Sequence, residues 1–183
     1  MSQDAVYSAQ PTYENELVLL RPLTQADAPA LLRCYADPHA VPLFNSDNCH
    51  GDDFHYTTLA RMQQALAFWA QSYQERQFVR WAVLDASLGE VVGTVEMFHR
   101  RAPDADDHAG VLRIDLQSAR ETRAFLHGVA SLCVAHFYEA FEVNRILTKA
   151  VPRATERRAA LEAAGFHPAP RGLAGYPFYF ERN

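Results

Sequence analysis

The sequence predicts an α/β (α+β) fold in which a mixed sheet of six or seven strands is flanked by about four helices. Apolar or alternating segments and longer segments with helical spacing follow one another as strand, two helices, three strands, helix, strand, helix and strand. The length of 183 residues suits one domain, and the sequence contains no internal repeat, linker or low-complexity tract. We therefore expect one domain over residues 16–183, preceded by a flexible tail over residues 1–15.

The composition is that of an ordinary globular protein. Hydrophobic residues make up 49%, charged residues make up 21%, and the net charge is −5. The longest apolar runs, of about six residues, are far shorter than the roughly 20 residues that cross a bilayer. The negative net charge also disfavours binding to nucleic acid, because the phosphates of nucleic acid attract basic proteins. We expect neither a membrane nor a nucleic acid as a partner.

The cysteines indicate a reducing compartment. Cys34, Cys49 and Cys133 are odd in number and widely spaced, with neither a CxxC pair nor a histidine at zinc-finger distance. The first residues lack the basic region and the apolar core that a secretory signal peptide needs. We therefore expect a cytoplasmic location.

The first half of the chain supplies a strand and two helices. Residues 17–20 form a short apolar run that Pro22 stops. Thr24 and Asp27 have the spacing of a capped helix start with a carboxylate in the first turn, and Pro38 ends this helix. After a polar loop, a second helix is predicted from apolar positions at three- and four-residue spacing, which are Leu59, Met62, Leu66, Trp69 and Tyr73.

The second half supplies the remaining strands and two more helices. Alternating or apolar segments predict strands over residues 79–83, 90–99 and 110–116. A long helix is predicted to begin at Ser118, and an Ala-rich helix to end at Gly165. Between these helices NRILTKAV predicts a buried strand, and YPFYFERN predicts a final one. The apolar face of the long helix comprises Phe125, Val129, Leu132, Cys133, Phe137 and Phe141.

Three segments carry a more specific signal: LVLLRPLTQADAPALLRCYADP, GEVVGTVEMF and FEVNRILTKAVPRATERRAALEAAGF. In this order and spacing they resemble the GCN5-related N-acetyltransferase (GNAT) family, most closely its ribosomal-protein acetyltransferase-like branch, over residues 16–182. The resemblance implies a splayed sheet that binds acetyl-coenzyme A, as co-substrate, between its fourth and fifth strands. It also implies direct acetyl transfer to a primary amine of a small molecule or a protein N-terminus, without a metal.

The resemblance also implies where coenzyme A binds. The family motif Q/R-x-x-G-x-G/A falls on ARETRA, residues 119–124, where Ala119 and Thr122 replace the Gln/Arg and the first glycine and Ala124 fits. In the family, backbone N–H groups of this turn approach the pyrophosphate. The implied cofactor-binding residues are Leu116, Gln117, Arg120, Thr122, Arg123 and Ala124.

The same turn admits a second interpretation. Ser118 and Glu121 have the spacing of a capping box, in which the Glu121 carboxylate accepts from the N–H of Ser118. The turn is then a solvated helix start of mixed charge, with a carboxylate where the pyrophosphate belongs. In the alternative, Arg120 and Arg123 bind phosphate as charge-assisted donors and an altered cofactor site is retained.

Two carboxylates are candidate general bases. The resemblance implies that Asp115 lies on the strand that aligns the thioester, where it could take a proton from an ammonium group; the alternative is a structural ion pair with Arg113. Glu96 lies within an apolar strand, where an unpaired charge is costly; the alternative is an outward-facing position. Ala154 and Leu161 stand where the family often has an Asn and a general-acid Tyr, so no general acid is identified.

A metal site is not the preferred interpretation of the acidic loop between His99 and His108. Its DADDH segment lacks the glycine and terminal glutamate of a calcium loop, and a hydrated loop explains it better.

Two functions of different classes therefore remain open. One is an acetyl-coenzyme A-dependent N-acetyltransferase. The other is a non-catalytic module that senses a ligand or contacts a protein, which the missing glycine of the turn and the missing Tyr favour. A homodimer is common in the family, and the apolar segment YPFYF could pair at a sheet edge.

Overall fold

The computed structural model describes residues 3–183, which form a mixed eight-stranded sheet and five α-helices. The strands are β1 (Tyr13–Glu14), β2 (Val18–Pro22), β3 (Val79–Asp85), β4 (Glu90–His99), β5 (Gly110–Leu116), β6 (Ile146–Lys149), β7 (His167–Pro168) and β8 (Tyr179–Arg182). The helices are α1 (Gln3–Ser8), α2 (Ala28–Tyr35), α3 (Leu59–Gln74), α4 (Arg123–Phe141) and α5 (Thr155–Ala163). The predicted fold class is confirmed, and the two-residue strands β1 and β7 and the short α1 are additional to the predicted elements.

The segment expected to be a flexible tail is packed in the structure over residues 3–14. α1 lies against α4 and its Val6 is buried, while β1 pairs antiparallel with β2 and buries Tyr13. Burial of these apolar side chains offsets the entropy lost in ordering the segment. Residues 1 and 2 lie outside the described residues, and a domain limited to residues 16–183 stays a prediction.

Helices cover both faces of the sheet. α4 and α5 lie over a core that includes Trp81 and Phe137, whereas α2 and α3 lie over one that includes Tyr35 and Trp69. By length and composition α4 could cross a membrane, with a mean hydropathy of 1.2. Here it is a core helix, because its apolar side chains pack against the sheet.

The pairing of β5 leaves a crevice in the sheet. β4 pairs with β5 antiparallel as far as Leu116. β6 runs parallel to β5 and pairs only with residues 110–112. Residues 113–116 of β5 therefore have β4 on one side and a crevice on the other, which is the splay that the resemblance implies.

The long helix begins later than the sequence predicts. Residues Ser118–Arg120 form a 3-10 turn, and α4 begins at Arg123, with the Thr122 hydroxyl accepting from the N–H of Phe125 (3.4 Å). The predicted capping box of Ser118 with Glu121 is wrong. The Glu121 carboxylate accepts instead from a buried arginine of α5.

The C-terminal strand is not at an edge of the sheet. β8 lies between β6 and β7, so both of its sides carry a neighbouring strand. The prediction that YPFYF lies at a sheet edge is therefore wrong, because β7 pairs with β8 on its outer side, whereas the homodimer stays a prediction.

Candidate functional site

A network of buried charges crosses the centre of the sheet beneath α2 and α3. Arg80 on β3 donates through Nε to Glu96 on β4 (3.0 Å) and through Nη1 to Asp115 on β5 (3.2 Å). These three side chains are only 1–2% exposed. Because a buried charge is costly without a partner, the arginine stabilises the ionised form of both carboxylates. The two predicted bases are thus brought together.

Strand register explains how these side chains meet. Glu96 lies directly opposite Arg80 on one side and Arg113 on the other, and Thr94 lies opposite Asp115. Opposite residues of paired strands share a face of the sheet, so the alternation of each strand places the charges together.

The predicted pairing of Asp115 with Arg113 and the outward-facing position of Glu96 are both wrong, whereas a structural role for Asp115 stays a prediction. Arg113 pairs with Glu96 rather than with Asp115, and it also donates to the carbonyl of Asp47 (2.9 Å). Asp115 instead accepts from the Tyr35 hydroxyl (2.9 Å) as well as from Arg80. Glu96 does not face outward, because α2 and α3 cover this face of the sheet.

The two carboxylates differ in proton affinity. Burial pushes the pKa of Glu96 up, but the charges of Arg80 and Arg113 outweigh burial and hold that pKa below its ordinary value. For Asp115 burial dominates and raises the pKa against the opposing charge of Arg80. Its Oδ1 is buried and has no hydrogen-bond partner among residues 3–183. Asp115 is therefore the better proton acceptor of the two.

A cavity of about 420 Å³ opens beside the network. Glu96, Arg80 and Arg113 form part of its wall, whereas Asp115 lies behind them and does not line it. The remaining wall is rich in aromatic side chains, which are Phe54, Phe68, Trp69, Phe78, Phe98 and Tyr179. The cavity therefore reaches one of the two predicted bases directly.

Carboxylates around the cavity are neutralised by neighbouring cations. Lys149 Nζ lies 2.7 Å from both oxygens of Asp47, and Arg61 Nη2 lies 2.9 Å from Asp52. The guanidinium of Arg80 also stacks over Trp69, 4.1 Å from the ring centroid. An aromatic wall with paired charges favours an apolar ligand segment over a highly charged one.

The first residues predicted to bind coenzyme A have partners within the chain. The side chain of Leu116 is buried in the core beneath α4. The backbone N–H of Gln117 donates to the carbonyl of Val92 (2.9 Å). Arg120 Nε lies 2.9 Å from Asp85 Oδ2, so this cation is already paired.

The remaining predicted residues form the first turn of α4. Thr122 caps this helix, and Ala124 is exposed. The backbone N–H of Arg123 donates to the Glu156 carboxylate of α5 (3.0 Å). A carboxylate of the chain therefore takes an N–H group that the resemblance assigns to pyrophosphate.

Arg157 on α5 reaches the crevice edge of β5. The backbone N–H of Gly110 donates to the carbonyl of Arg145, which precedes β6. Every second residue of a strand directs its backbone N–H and carbonyl to the same side, so those of Ile114 face the crevice. Arg157 Nη1 donates to the carbonyl of Ile114 (2.8 Å). Its Nε donates to the Glu121 carboxylate (3.2 Å), and the two side chains are 2% and 9% exposed.

In this arrangement, residues of the chain occupy the groups that would bind coenzyme A. The guanidinium of Arg157 lies against the crevice-facing carbonyl of Ile114, where the amides of the donor's arm would bind. Glu121 and Glu156 place two carboxylates at the turn where a pyrophosphate would lie. A helix start attracts anions through unpartnered N–H groups, and here an internal anion takes that role.

Sequence reasoning missed the two arginines that organise these regions. Arg157 shares a helix face with Ala160, Leu161 and Ala164, and this three- and four-residue spacing places it on the buried side of α5. Arg80 lies between Val79 and Trp81 in a strand that is buried on both faces, so its apolar neighbours are the only sequence signal that Arg80 is buried. A buried arginine in either pattern requires an anionic partner.

The acidic loop is held by arginines. Arg100 pairs with Asp104, and Arg145 lies 2.8 Å from Asp106. His99 Nε2 lies 2.9 Å from His108 Nδ1. Within residues 3–183 no group of three or more His, Cys, Asp or Glu side chains is placed to hold a metal ion.

Proteins of similar sequence are acetyltransferases. A family model described as an acetyltransferase (GNAT) domain matches residues 18–167. Among curated proteins, the uncharacterized N-acetyltransferase YoaA of Bacillus subtilis (strain 168) is 25% identical over 144 residues, which cover 74% of this chain and 71% of that protein.

Solved structures share the fold. The ribosomal-protein-S5-alanine acetyltransferase from Vibrio fischeri superimposes with a TM-score of 0.70 at 18% identity, covering 94% of this chain and 96% of that one. Mycobacterium smegmatis RimJ in complex with CoA-disulfide gives 0.69 at 18% identity, covering 90% of this chain and 81% of that one. At these identities the likeness concerns the fold alone.

Proposed function

Because this chain belongs to the GNAT acetyltransferase family, whose members use acetyl-coenzyme A as co-substrate, we propose that it transfers an acetyl group to a primary amine. The amine is held in the 420 Å³ cavity, with its nitrogen toward Glu96. The observation that carries the proposal is the buried pair of carboxylates, one of which lines a cavity of the size of a small ligand.

The network serves the acceptor by removing a proton. A primary amine is an ammonium ion at neutral pH and must lose a proton before its lone pair can attack a carbonyl. Glu96 is in contact with the cavity and attracts the ammonium group, whereas the raised pKa of Asp115 makes it the stronger base. Because Asp115 lies behind the cavity wall, the proton of the ammonium group reaches it through a water molecule or after a local side-chain shift.

The cavity wall supports an acceptor with an apolar body. Phe68 and Phe78 pack against each other with ring centroids 6.4 Å apart, and Phe68 is 57% exposed. Flat or aliphatic groups gain most from such a surface. A small arylalkylamine or alkylamine is therefore favoured over a polyamine, which would need further carboxylates that are not already paired.

A non-catalytic ligand-binding role is the second candidate. The observation that favours it is the crevice, where Arg157 and Glu121 occupy groups that a donor would use. In this case the cavity binds its ligand without chemistry.

Turnover separates the two functions. The full chain is incubated with millimolar acetyl-coenzyme A and a panel of arylalkylamines, alkylamines, polyamines and alanine-starting peptides, and released thiol is measured. We expect acetylation of the apolar amines, with the product identified by mass spectrometry. Amine binding by calorimetry without acetylated product from any member of the panel would favour the non-catalytic role.

A further inference from the structure

We infer that the ion pair of Arg157 with Glu121 is a latch that excludes the acyl donor from the crevice between β5 and β6 and thereby sets the affinity for coenzyme A. The inference rests on the proposed function, because a latch matters only if a donor uses this crevice. It concerns residues of α5 and of the turn before α4, which make no hydrogen bond to Arg80 or Glu96, although the charge of Arg157 acts on Asp115.

The first step is the geometry of the strand edge. β6 leaves β5 after residue 112, and the carbonyl of Ile114 faces the open side. A donor arm that carries amides would bind such an edge through its own N–H groups. Arg157 donates to this carbonyl at 2.8 Å, so its guanidinium lies at the strand edge that the arm would have to approach.

The second step is the charge of the turn. Of the two arginines that the sequence places at this turn, Arg120 pairs with Asp85, and the turn's Glu121 pairs with Arg157 of α5. The side chain of Arg123 is exposed. Glu156 adds another carboxylate on the N–H of Arg123. A diphosphate therefore meets one exposed arginine, two paired cations and two carboxylates at this turn.

The third step is cooperativity. The guanidinium of Arg157 binds Ile114 and Glu121 at once through separate nitrogens, and both side chains are almost fully buried. Releasing the carbonyl alone would leave a buried donor unsatisfied, so the contacts open together. The apparent affinity for the donor is then reduced by the fraction of molecules in which the latch is open.

The experiment measures binding of coenzyme A and of pantetheine, which lacks the phosphates, to the full chain by calorimetry. The variant Arg157→Ser with Glu121→Gln removes both sides of the latch. We expect this variant to bind both ligands at least ~10-fold more tightly than wild type, because no fraction of its molecules has a closed latch. Glu156→Ala should tighten the binding of coenzyme A, because it removes a negative charge and frees the N–H of Arg123 for phosphate. The binding of pantetheine, which lacks the phosphates, should not change.

The matched control is an ion pair outside the crevice. Arg21 and Asp27 form a two-pronged pair at the end of β2. Arg21→Gln with Asp27→Asn should leave the affinity for both ligands at the wild-type level. Each variant is first checked for a cooperative thermal transition. If the latch double variant does not fold, Arg157→Lys takes its place, because lysine keeps the charge but cannot bind both partners, and a few-fold tightening is expected.

Micromolar binding of coenzyme A by the wild-type chain would overturn the latch, and so would a folded latch variant with unchanged affinity for both ligands. Failure of the proposed function has a different signature. In that case the latch variant binds coenzyme A tightly, yet neither it nor the wild type acetylates any amine.

Discussion

Gly93 on β4 lies so close to Asp115 on β5 that a Cβ atom on residue 93 would stand 2.0 Å from the backbone oxygen of Asp115. The same atom would stand 2.9 Å from the Cα of Leu116. Contacts this short with backbone cannot be relieved by a side-chain rotation. Glycine at this position therefore fixes the approach of β5 to β4 beside the buried network, where β4 also has a register shift against β3.

Gly93→Ala should destabilise the protein by about 1–3 kcal/mol, because the two strands must separate to admit the methyl group. Chemical unfolding followed by circular dichroism measures the change. Gly128→Ala is the control, since its Cβ would meet Val18 at an ordinary 3.4 Å and alanine favours the helix. Equal stabilities for Gly93→Ala and wild type would contradict the close approach of the strands.

Arg80→Met should destabilise the protein by about 3–5 kcal/mol, because it leaves Glu96 and Asp115 as buried carboxylates without their shared partner. Urea unfolding at neutral pH gives the value. The control is Arg61→Met, which removes an exposed pair with Asp52 and should cost less than about 1 kcal/mol. Similar losses for both variants would mean that the buried network is not what Arg80 stabilises.

The fold was largely predictable because its elements have strong local patterns. The alternation of β3–β5 and the helical spacing of α3 and α4 are set by burial, and Gly165 has the left-handed φ of +85° that a helix C-terminus favours. The buried partner of Glu96 was predictable for a related reason, because a carboxylate is costly in an apolar strand unless it has a partner, whereas Asp115 was named from the family resemblance.

The start of α4 and the latch were not predictable from local sequence. Ser118 and Glu121 have valid capping spacing, but the N–H of Ser118 donates to Asp37 and Glu121 pairs with Arg157. These partners are 81 and 36 residues away along the chain. A long-range buried ion pair outweighs a local cap worth about 1 kcal/mol, and no sequence window contains both partners.

Glu96 and Asp115 should contribute to stability with opposite dependence on pH. The folded-state pKa of Glu96 lies below its ordinary 4.5, so its stabilisation is present above that pH and is lost as the pH falls through the folded-state pKa. The folded-state pKa of Asp115 lies above its ordinary 3.8, so its contribution is lost as the pH rises through the folded-state pKa.

Urea unfolding between about pH 3 and pH 8 tests these signs. Glu96→Gln should flatten the loss of stability toward acid, whereas Asp115→Asn should lessen the loss that accompanies rising pH. Glu16→Gln serves as a control, because this side chain is exposed and precedes β2, away from the network. Parallel curves for the two network variants would contradict the assignment of opposite shifts.

Asp115→Asn should lower the turnover of apolar amines on the order of 10²-fold or more, because it removes the stronger proton acceptor of the network while preserving the shape of the side chain. The Tyr35 hydroxyl and Arg80 can still donate to the amide oxygen, so the fold is retained. The loss should fall mainly on kcat, because Asp115 does not line the cavity. Glu96→Gln should also raise KM, because Glu96 lines the cavity.

Loss of a general base has a further signature in the pH dependence. Raising the pH supplies more free amine, so the rate of Asp115→Asn should partly recover at alkaline pH. Tyr35→Phe removes one donor to Asp115 without removing the carboxylate and should leave most of the turnover. Unchanged activity of Asp115→Asn over the whole pH range would remove Asp115 from the mechanism and leave it a structural partner of Arg80.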